Sequence, residues 1–248
     1  AALNKGIGSS RGEFIMCMND DVILDKDCIR EALRGFLVHD RIGMVSPKVL
    51  RRSAGCILDS AGLSLSVWRS AKERGYGTAD RGQFETPGHI FGVTGSAAFY
   101  RREMLEDIKD VNGYFDSRFR MFYEDLDVAW RARNKGWRAY YVPSAVAYHV
   151  RGGSHRPDSG LNRPFARRYL SDGLHYELLK NRCLTIKKNE TFMGWVIHFV
   201  PVLLYDILAW GYVLLFQRGV LKFLVSQWEN RFIAAGPSGA TRESLPRA

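Results

Sequence analysis

Cysteine is scarce in this chain: Cys17, Cys28, Cys56 and Cys183 are the only four in 248 residues, and no two stand in a C-x-x-C pair. That spacing argues against a zinc site or a disulfide framework, and the apolar or helical surroundings predict buried thiols in a reducing compartment. No signal peptide or initiator methionine opens the sequence. AALNKGIGSSRGEF already reads as the interior of a domain, so the expectation is a chain whose parent begins further upstream. Gly6 and Gly8 have no strand before them, which leaves a dinucleotide fingerprint incomplete and makes them turn glycines. The charge is unbalanced, 36 Lys and Arg against 26 Asp and Glu for a net +10. Such a balance suits anionic partners, but the basic residues are scattered rather than grouped on one helix, so nucleic acid is not an expected partner.

What is present is acid in two places. In MFYEDLDVAWRARNKGW, residues 121–137, Glu124, Asp125 and Asp127 lead a segment of helical period in which Leu126 and Trp130 share a side, and Gly136 is a plausible stop. Acids first and bases last follow the helix dipole, so a capping cluster is one reading. Far upstream, the apolar run Phe14–Met18 reads as a strand buried on both faces and ends in Asn19-Asp20-Asp21. Open α/β sheets hold their ligands beyond the carboxyl ends of strands, and hard oxygen ligands there suit Mg²⁺ or Mn²⁺ shared with a diphosphate. A turn and the N-cap of a helix starting near Asp25 to Asp27 is the alternative.

Between these points the pattern predicts a helix over Cys28–Val38 and a strand over Arg41–Val49. Residues 50–87, with Trp68 and Tyr76 among Arg69, Lys72, Arg74 and Arg81, read as a flexible insertion with room for an acceptor role. A strand over Phe91–Tyr100, a helix over Arg101–Ile108 and a turn at Gly113–Asp116 follow. Arg138–Tyr148 reads as a strand pair ending at His149, which precedes Gly152-Gly153 and is either an ordinary loop histidine or a metal or phosphate ligand, with His155 as a second candidate.

A helix is predicted over Arg167–Lys188. The 25 positions from Phe192 to Phe216 are almost wholly apolar, longer than the ~20 needed to span a bilayer. His198, Pro201 and Asp206 oppose spanning, the aspartate at a cost of ~2.5–3.5 kcal/mol at the midplane. Trp195, Tyr205, Trp210 and Tyr212, flanked by Lys187, Lys188, Arg218 and Lys222, favour an interfacial hairpin over 192–216 and 219–234. A soluble core helix is the alternative, and residues 236–248 read as a disordered tail.

Three motifs together carry a resemblance: NKGIGSSRGEFIMCMNDDV at 4–22, GSAAFYRREMLEDI with NGYFDSRFRMFYEDLDVAWRARNKGW within 95–137, and HVRGGS at 149–154. In that order they resemble the family 2 glycosyltransferases, the inverting GT-A type that includes bacterial rhamnosyltransferase-like enzymes. The resemblance implies an α/β fold with a mixed, Rossmann-like sheet flanked by helices. It implies a partial catalytic domain over 1–188 lacking its N-terminal strands, membrane-associated helices over 189–235 and the tail over 236–248. It implies a divalent cation, Mg²⁺ or Mn²⁺, on Asp21 with His149 completing its shell, and Asp20 and Asn19 beside the donor, Asn19 standing where many relatives have an aspartate. Asp125 would be the general base and Glu124 its neighbour. The implied donor is a nucleoside-diphosphate sugar, the acceptor a lipid-linked glycan or polysaccharide, and the location the cytoplasmic face of a bacterial inner membrane with its anionic surface. Family members open with a VSIVIVTYN-type strand that this sequence lacks, so the isolated chain is expected to be inactive or weakly active. A non-catalytic, membrane-apposed binding module is the alternative.

Overall fold

In the computed structural model, which describes residues 2–52, 56–150 and 170–234, the sheet is built around β3, Ile42–Arg51. This strand is buried along nearly its whole length, as an apolar run with a layer on each side must be. The remaining strands are β1 (Phe14–Met18), β2 (Val22–Leu24), β4 (Leu58–Ser60), β5 (Leu63–Leu65), β6 (Ala71–Glu73), β7 (Gly88–Ile90), β8 (Ala97–Arg101) and β9 (Arg138–His149). The main sheet runs β1-β8-β3-β9-β2, with β4 added to β3 and β7 to β9, while β5 and β6 form a separate hairpin. β3 and β9 are parallel, and β8 is antiparallel to both β1 and β3. The carboxyl ends of β1, β3 and β9 therefore share one edge of the sheet, and the entry to β8 lies there too.

Side-chain alternation sorts the strands onto two faces. Val45, Val49 and Phe99 pack with Cys28 and Ala32 of α2 (Cys28–Gly35) and with Phe36 at its end on one face. Met44, Ala98 and Tyr100 pack with α1 (Ala2–Ser9), α3 (Arg102–Ile108) and α4 (Glu124–Asn134) on the other. Gly92 lets α4 come close, since a Cβ there would lie 2.5 Å from that of Ala129.

Several sequence expectations change. Residues 50–87 are not a loose insertion: outside 53–55 they form β4 and the β5–β6 hairpin, pinned by buried Leu58 and Leu63 and by Lys48 reaching Asp80 at 3.0 Å. Turn glycines hid these short strands. Arg138–Tyr148 is one strand rather than a pair, because Pro143 falls in a register shift against β3 that bends the strand without ending it. The strand expected over Phe91–Tyr100 begins only at Ala97, since residues 91–96 leave the sheet to meet α4. β1 is half-buried on one face rather than buried on both. Cys17 and Cys28 are buried, and burial pushes both thiols up to about 11, but Cys56 and Cys183 are exposed. His155, the loop at 151–154 and the tail over 236–248 lie outside the described residues.

Beyond them, α5 (Asp172–Asn189) starts later than the predicted Arg167, with Ser171 capping the Leu174 N–H. It is followed by α6 (Phe192–Phe216) and α7 (Arg218–Ala234). α6 is inside-out relative to a soluble helix. Gly194, His198, Val202, Asp206, Ala209 and Val213 recur at helical spacing, and this stripe of small and polar residues faces the protein. Only 17% of its most apolar stretch is buried among the described residues. Asp206 is paired with the buried Arg182 of α5, whose Nη2 also donates to the Trp68 carbonyl at 2.6 Å.

α5 also braces the entry to α4. Phe122 and Tyr123 both take left-handed backbone angles, φ 70° and 71°, a conformation that bulky residues avoid at about 1–2 kcal/mol each. Asn181, fully buried, donates to the carbonyls of Met121 (2.8 Å) and Phe122 (3.0 Å). Replacing Asn181 with alanine leaves these carbonyls unpaired, and denaturant titration should register a loss of ~2–3 kcal/mol. A loss within the ~0.5 kcal/mol typical of a surface change would mean that the bracing contributes little.

Candidate active site

The strained entry delivers the first turn of α4 to the sheet edge where β1, β3 and β9 end. Asp125 accepts the Gly95 N–H on Oδ2 at 3.0 Å and the Leu126 N–H on Oδ1 at 2.7 Å. Burial raises its pKa, opposed by those two N–H donors. Glu124, largely withdrawn from water and next to Asp125, is pushed up to about 7. Its Oε2 is buried with no hydrogen-bond partner among the described residues. The donor count separates the pair: Asp125 is the better stabilised anion, and Glu124 holds a proton more readily. Asp127, the third acid of the motif, points elsewhere. It is fully buried and bonded to Arg131 (2.9 Å), Lys188 and Asn189 (2.9 Å), so it ties α4 to α5 and takes no part in the site.

A third carboxyl joins from β6. Glu73 meets the Ser60 hydroxyl on one oxygen and the Thr94 hydroxyl on the other, at 2.9 Å. Withdrawal from water, then the charge of Asp125, push it up to about 8. Sequence reasoning missed Glu73, because SAKERG has no period or spacing that distinguishes one surface-type glutamate from another.

The strand-end acids lie at the same edge. The Asn19 N–H donates to the Ser96 carbonyl at 3.0 Å, one residue from the Gly95 that anchors Asp125. Asn19 and Asp20 are exposed at the tip of β1, and Asp21 is half-buried. Asp21 Oδ1 stands 3.0 Å from His149 Nε2, and His149 Nδ1 faces Asp59 Oδ2 at 2.7 Å. Asp59 in turn meets Arg51 Nε at 3.3 Å. A carboxylate behind one ring nitrogen, with the other nitrogen toward a second carboxylate, is the kind of placement that orients a metal-bound imidazole. Two ligands at right angles, each about 2.1 Å from an octahedral cation, stand about 3 Å apart, so this pair fits a divalent ion. Among the described residues no group of three such ligands is present. Asp59 also went unnoticed in the sequence, although a lone acid inside the apolar run ILDSAGL was a usable signal.

The chain is similar to known proteins in sequence and in fold. A family model described as "Glycosyltransferase like family 2" matches residues 1–165. Among curated proteins, the chain is 24% identical over 220 residues to a poly-beta-1,6-N-acetyl-D-glucosamine synthase of Staphylococcus aureus, covering 88% of this chain and 48% of the relative. The Staphylococcus epidermidis protein of the same name is 25% identical over 226 residues, covering 90% and 48%. The chain thus spans about half the length of these relatives. A solved structure of GalNAc-T7 with UDP, GalNAc and Mn²⁺ superposes with a TM-score of 0.50 at 12% identity, over 75% of this chain and 34% of that one. That likeness is one of fold: the mixed sheet with flanking helices is of the GT-A type.

The raised Glu73 pKa has a consequence for stability. In the unfolded chain this carboxyl ionises near its ordinary 4.5, and in the folded one near about 8. Between those values the folded state binds the extra proton, so stability falls as pH rises through that window. Glu73→Gln removes this slope: denaturant midpoints of the variant relative to wild type should improve from pH 5 to pH 9. A constant offset across that range would show that Glu73 does not hold a proton in the fold.

Proposed function

This chain belongs to the glycosyltransferase-like family 2, and from that premise we propose that it carries the catalytic centre of an inverting, membrane-associated glycosyltransferase. The donor is a nucleoside-diphosphate sugar and the acceptor a lipid-linked glycan or growing polysaccharide, the second favoured by the names of the curated relatives. The observation that carries the reading is Asp125: a carboxylate withdrawn from water, oriented by two backbone N–H groups, one of them from Gly95, next to the Ser96 carbonyl that holds the β1 tip just before β8.

Asp125 accepts the proton of the acceptor hydroxyl as that oxygen bonds to the anomeric carbon and the bond from this carbon to the diphosphate breaks. Each of its oxygens keeps a lone pair beyond the N–H it already accepts. General-base help of this kind is worth roughly 10²–10⁴ in rate. Glu124, near neutrality, carries a proton part of the time and so spares Asp125 a second adjacent charge; its unpaired oxygen remains to meet an acceptor hydroxyl. Asp21 and His149 would hold Mg²⁺ or Mn²⁺, oriented through Asp59, and Asp20 and Asn19 lie on the donor side. A cation there supplies charge to stabilise the departing diphosphate.

We place residues 1–188 in the catalytic unit and the helices of 189–235 at the cytoplasmic membrane face, where nucleotide sugars are available. α6 is long and apolar enough to cross a bilayer, but its contacts favour lying in the interface. Asp206, close to the middle of the helix, is paired with Arg182, and His198 meets Arg69 of the β5–β6 turn at 3.0 Å. A crossing helix would carry these anchors, and the globular elements attached to them, into hydrocarbon. Lying flat, α6 buries its exposed apolar side in lipid and keeps its polar stripe on the protein, with the net positive charge facing anionic headgroups.

Two substitutions in the native, membrane-bound protein test the assignments. Asp125→Asn should cut sugar transfer by roughly 10²–10⁴ while donor binding persists; unchanged turnover would remove Asp125 as the base, and a wild-type protein that transfers no sugar would leave the binding module as the reading. His149→Ala should raise the cation concentration needed for half-maximal transfer by roughly 10–100-fold, and an unaltered cation requirement would discard the His149 site.

A further inference from the structure

The turn between β5 and β6 has an unusual composition for an exposed hairpin apex. Ser66-Val67-Trp68-Arg69-Ser70 carries two large apolar residues where Gly, Asn, Asp or Pro is the norm, and they are left 58% (Val67) and 38% (Trp68) exposed. The turn is nevertheless tightly built. Ser66 N–H donates to the Ser70 carbonyl at 3.0 Å, Ser70 N–H to the Ser66 hydroxyl at 3.1 Å, and Arg69 is held left-handed at φ 56°.

Two further contacts tie the turn to the C-terminal helices. Arg69 reaches Glu190 just before α6 and His198 within it, with its guanidinium over the Trp130 ring. Arg182 donates to the Trp68 carbonyl while paired with Asp206 of α6. The turn is thereby clamped to the protein-facing stripe of α6, with Val67 and Trp68 exposed at its apex. On a helix lying flat in lipid, the flank next to the protein-facing stripe is at headgroup depth, the zone that tryptophan prefers.

We infer that the Ser66–Ser70 turn is a second membrane-contacting element, which seats Val67 and Trp68 in the headgroup region of a lipid bilayer beside α6. The inference rests on the interfacial placement of α6 proposed above. It also sets the height of the site. Glu73 is five residues from Trp68, and at about 3.3 Å per residue in extended chain the carboxyl cluster stands no more than roughly 17 Å from the lipid surface. An acceptor tethered to that surface is within reach.

Depth-dependent quenching tests this on the full protein. With Cys56 and Cys183 replaced by serine, single cysteines are introduced as Val67→Cys, Leu208→Cys on the exposed face of α6, and Val111→Cys on a fully exposed loop. Each is labelled with nitrobenzoxadiazole and the protein is reconstituted on vesicles of phosphatidylethanolamine and phosphatidylglycerol containing shallow spin-labelled lipid. The expected result is loss of most of the fluorescence at positions 67 and 208 and none at 111. Quenching at 208 without quenching at 67 overturns the inference while leaving α6 in the membrane. Quenching at neither position overturns both.

Discussion

Two adjacent residues, Phe122 and Tyr123, held in a backbone conformation that side chains of their size avoid, set the geometry on which the site depends. Their turn points the start of α4 at the sheet edge, so that Glu124 and Asp125 arrive beside Gly95 instead of facing solvent. The turn does not persist unaided. Asn181 holds its carbonyls, and Lys188 and Asn189 grip Asp127 one turn further along. The same helix, α5, uses Arg182 to hold α6 and the β5–β6 turn. A single helix with a buried polar face therefore couples the strained entry of the site to the part of the chain with the largest exposed apolar surface.

Three carboxyls close together in a region withdrawn from water cannot all be ionised near neutrality. The surroundings distribute the charge unequally. Asp125 receives two backbone N–H groups, Glu73 two hydroxyls with Asp125's charge against it, and Glu124 neither, apart from its own helix end. The outcome is one carboxylate suited to accepting a proton, flanked by two carboxyls that hold theirs into the neutral range. Asp21 stands apart from these three, sharing its surroundings with His149 and Asp59. In the reading proposed above, proton transfer and charge stabilisation fall to separate groups, one at the start of α4 and one in the turn after β1.

Much of the frame was legible from local pattern. The strand at Phe14–Met18 and the apolar helix at Phe192–Phe216 lie where periodicity and run length put them, because both patterns are set by residues in immediate succession. The short strands of residues 58–73 were illegible, since three-residue strands between glycines have no period to detect, and they form only because β3 and the hairpin partner offer edges to pair with. Pro143 misled for a related reason: it is a breaker by local rule, tolerated within β9 at the register shift.

Residue chemistry and order along the chain determined that acids stand at a strand end and at a helix start, and that α6 is long and apolar enough to cross a bilayer. Tertiary contacts alone decided which acid does what. Asp125 and Asp127 are two positions apart on one helix and indistinguishable by type. Because 100° per residue separates their directions, one meets the Gly95 N–H at the cleft and the other a cation and an amide of α5. Glu73 enters the site through a hairpin with no distinguishing pattern of its own. Its high pKa comes from the burial and the neighbouring Asp125 that folding imposes, neither of which is encoded in the residues beside it.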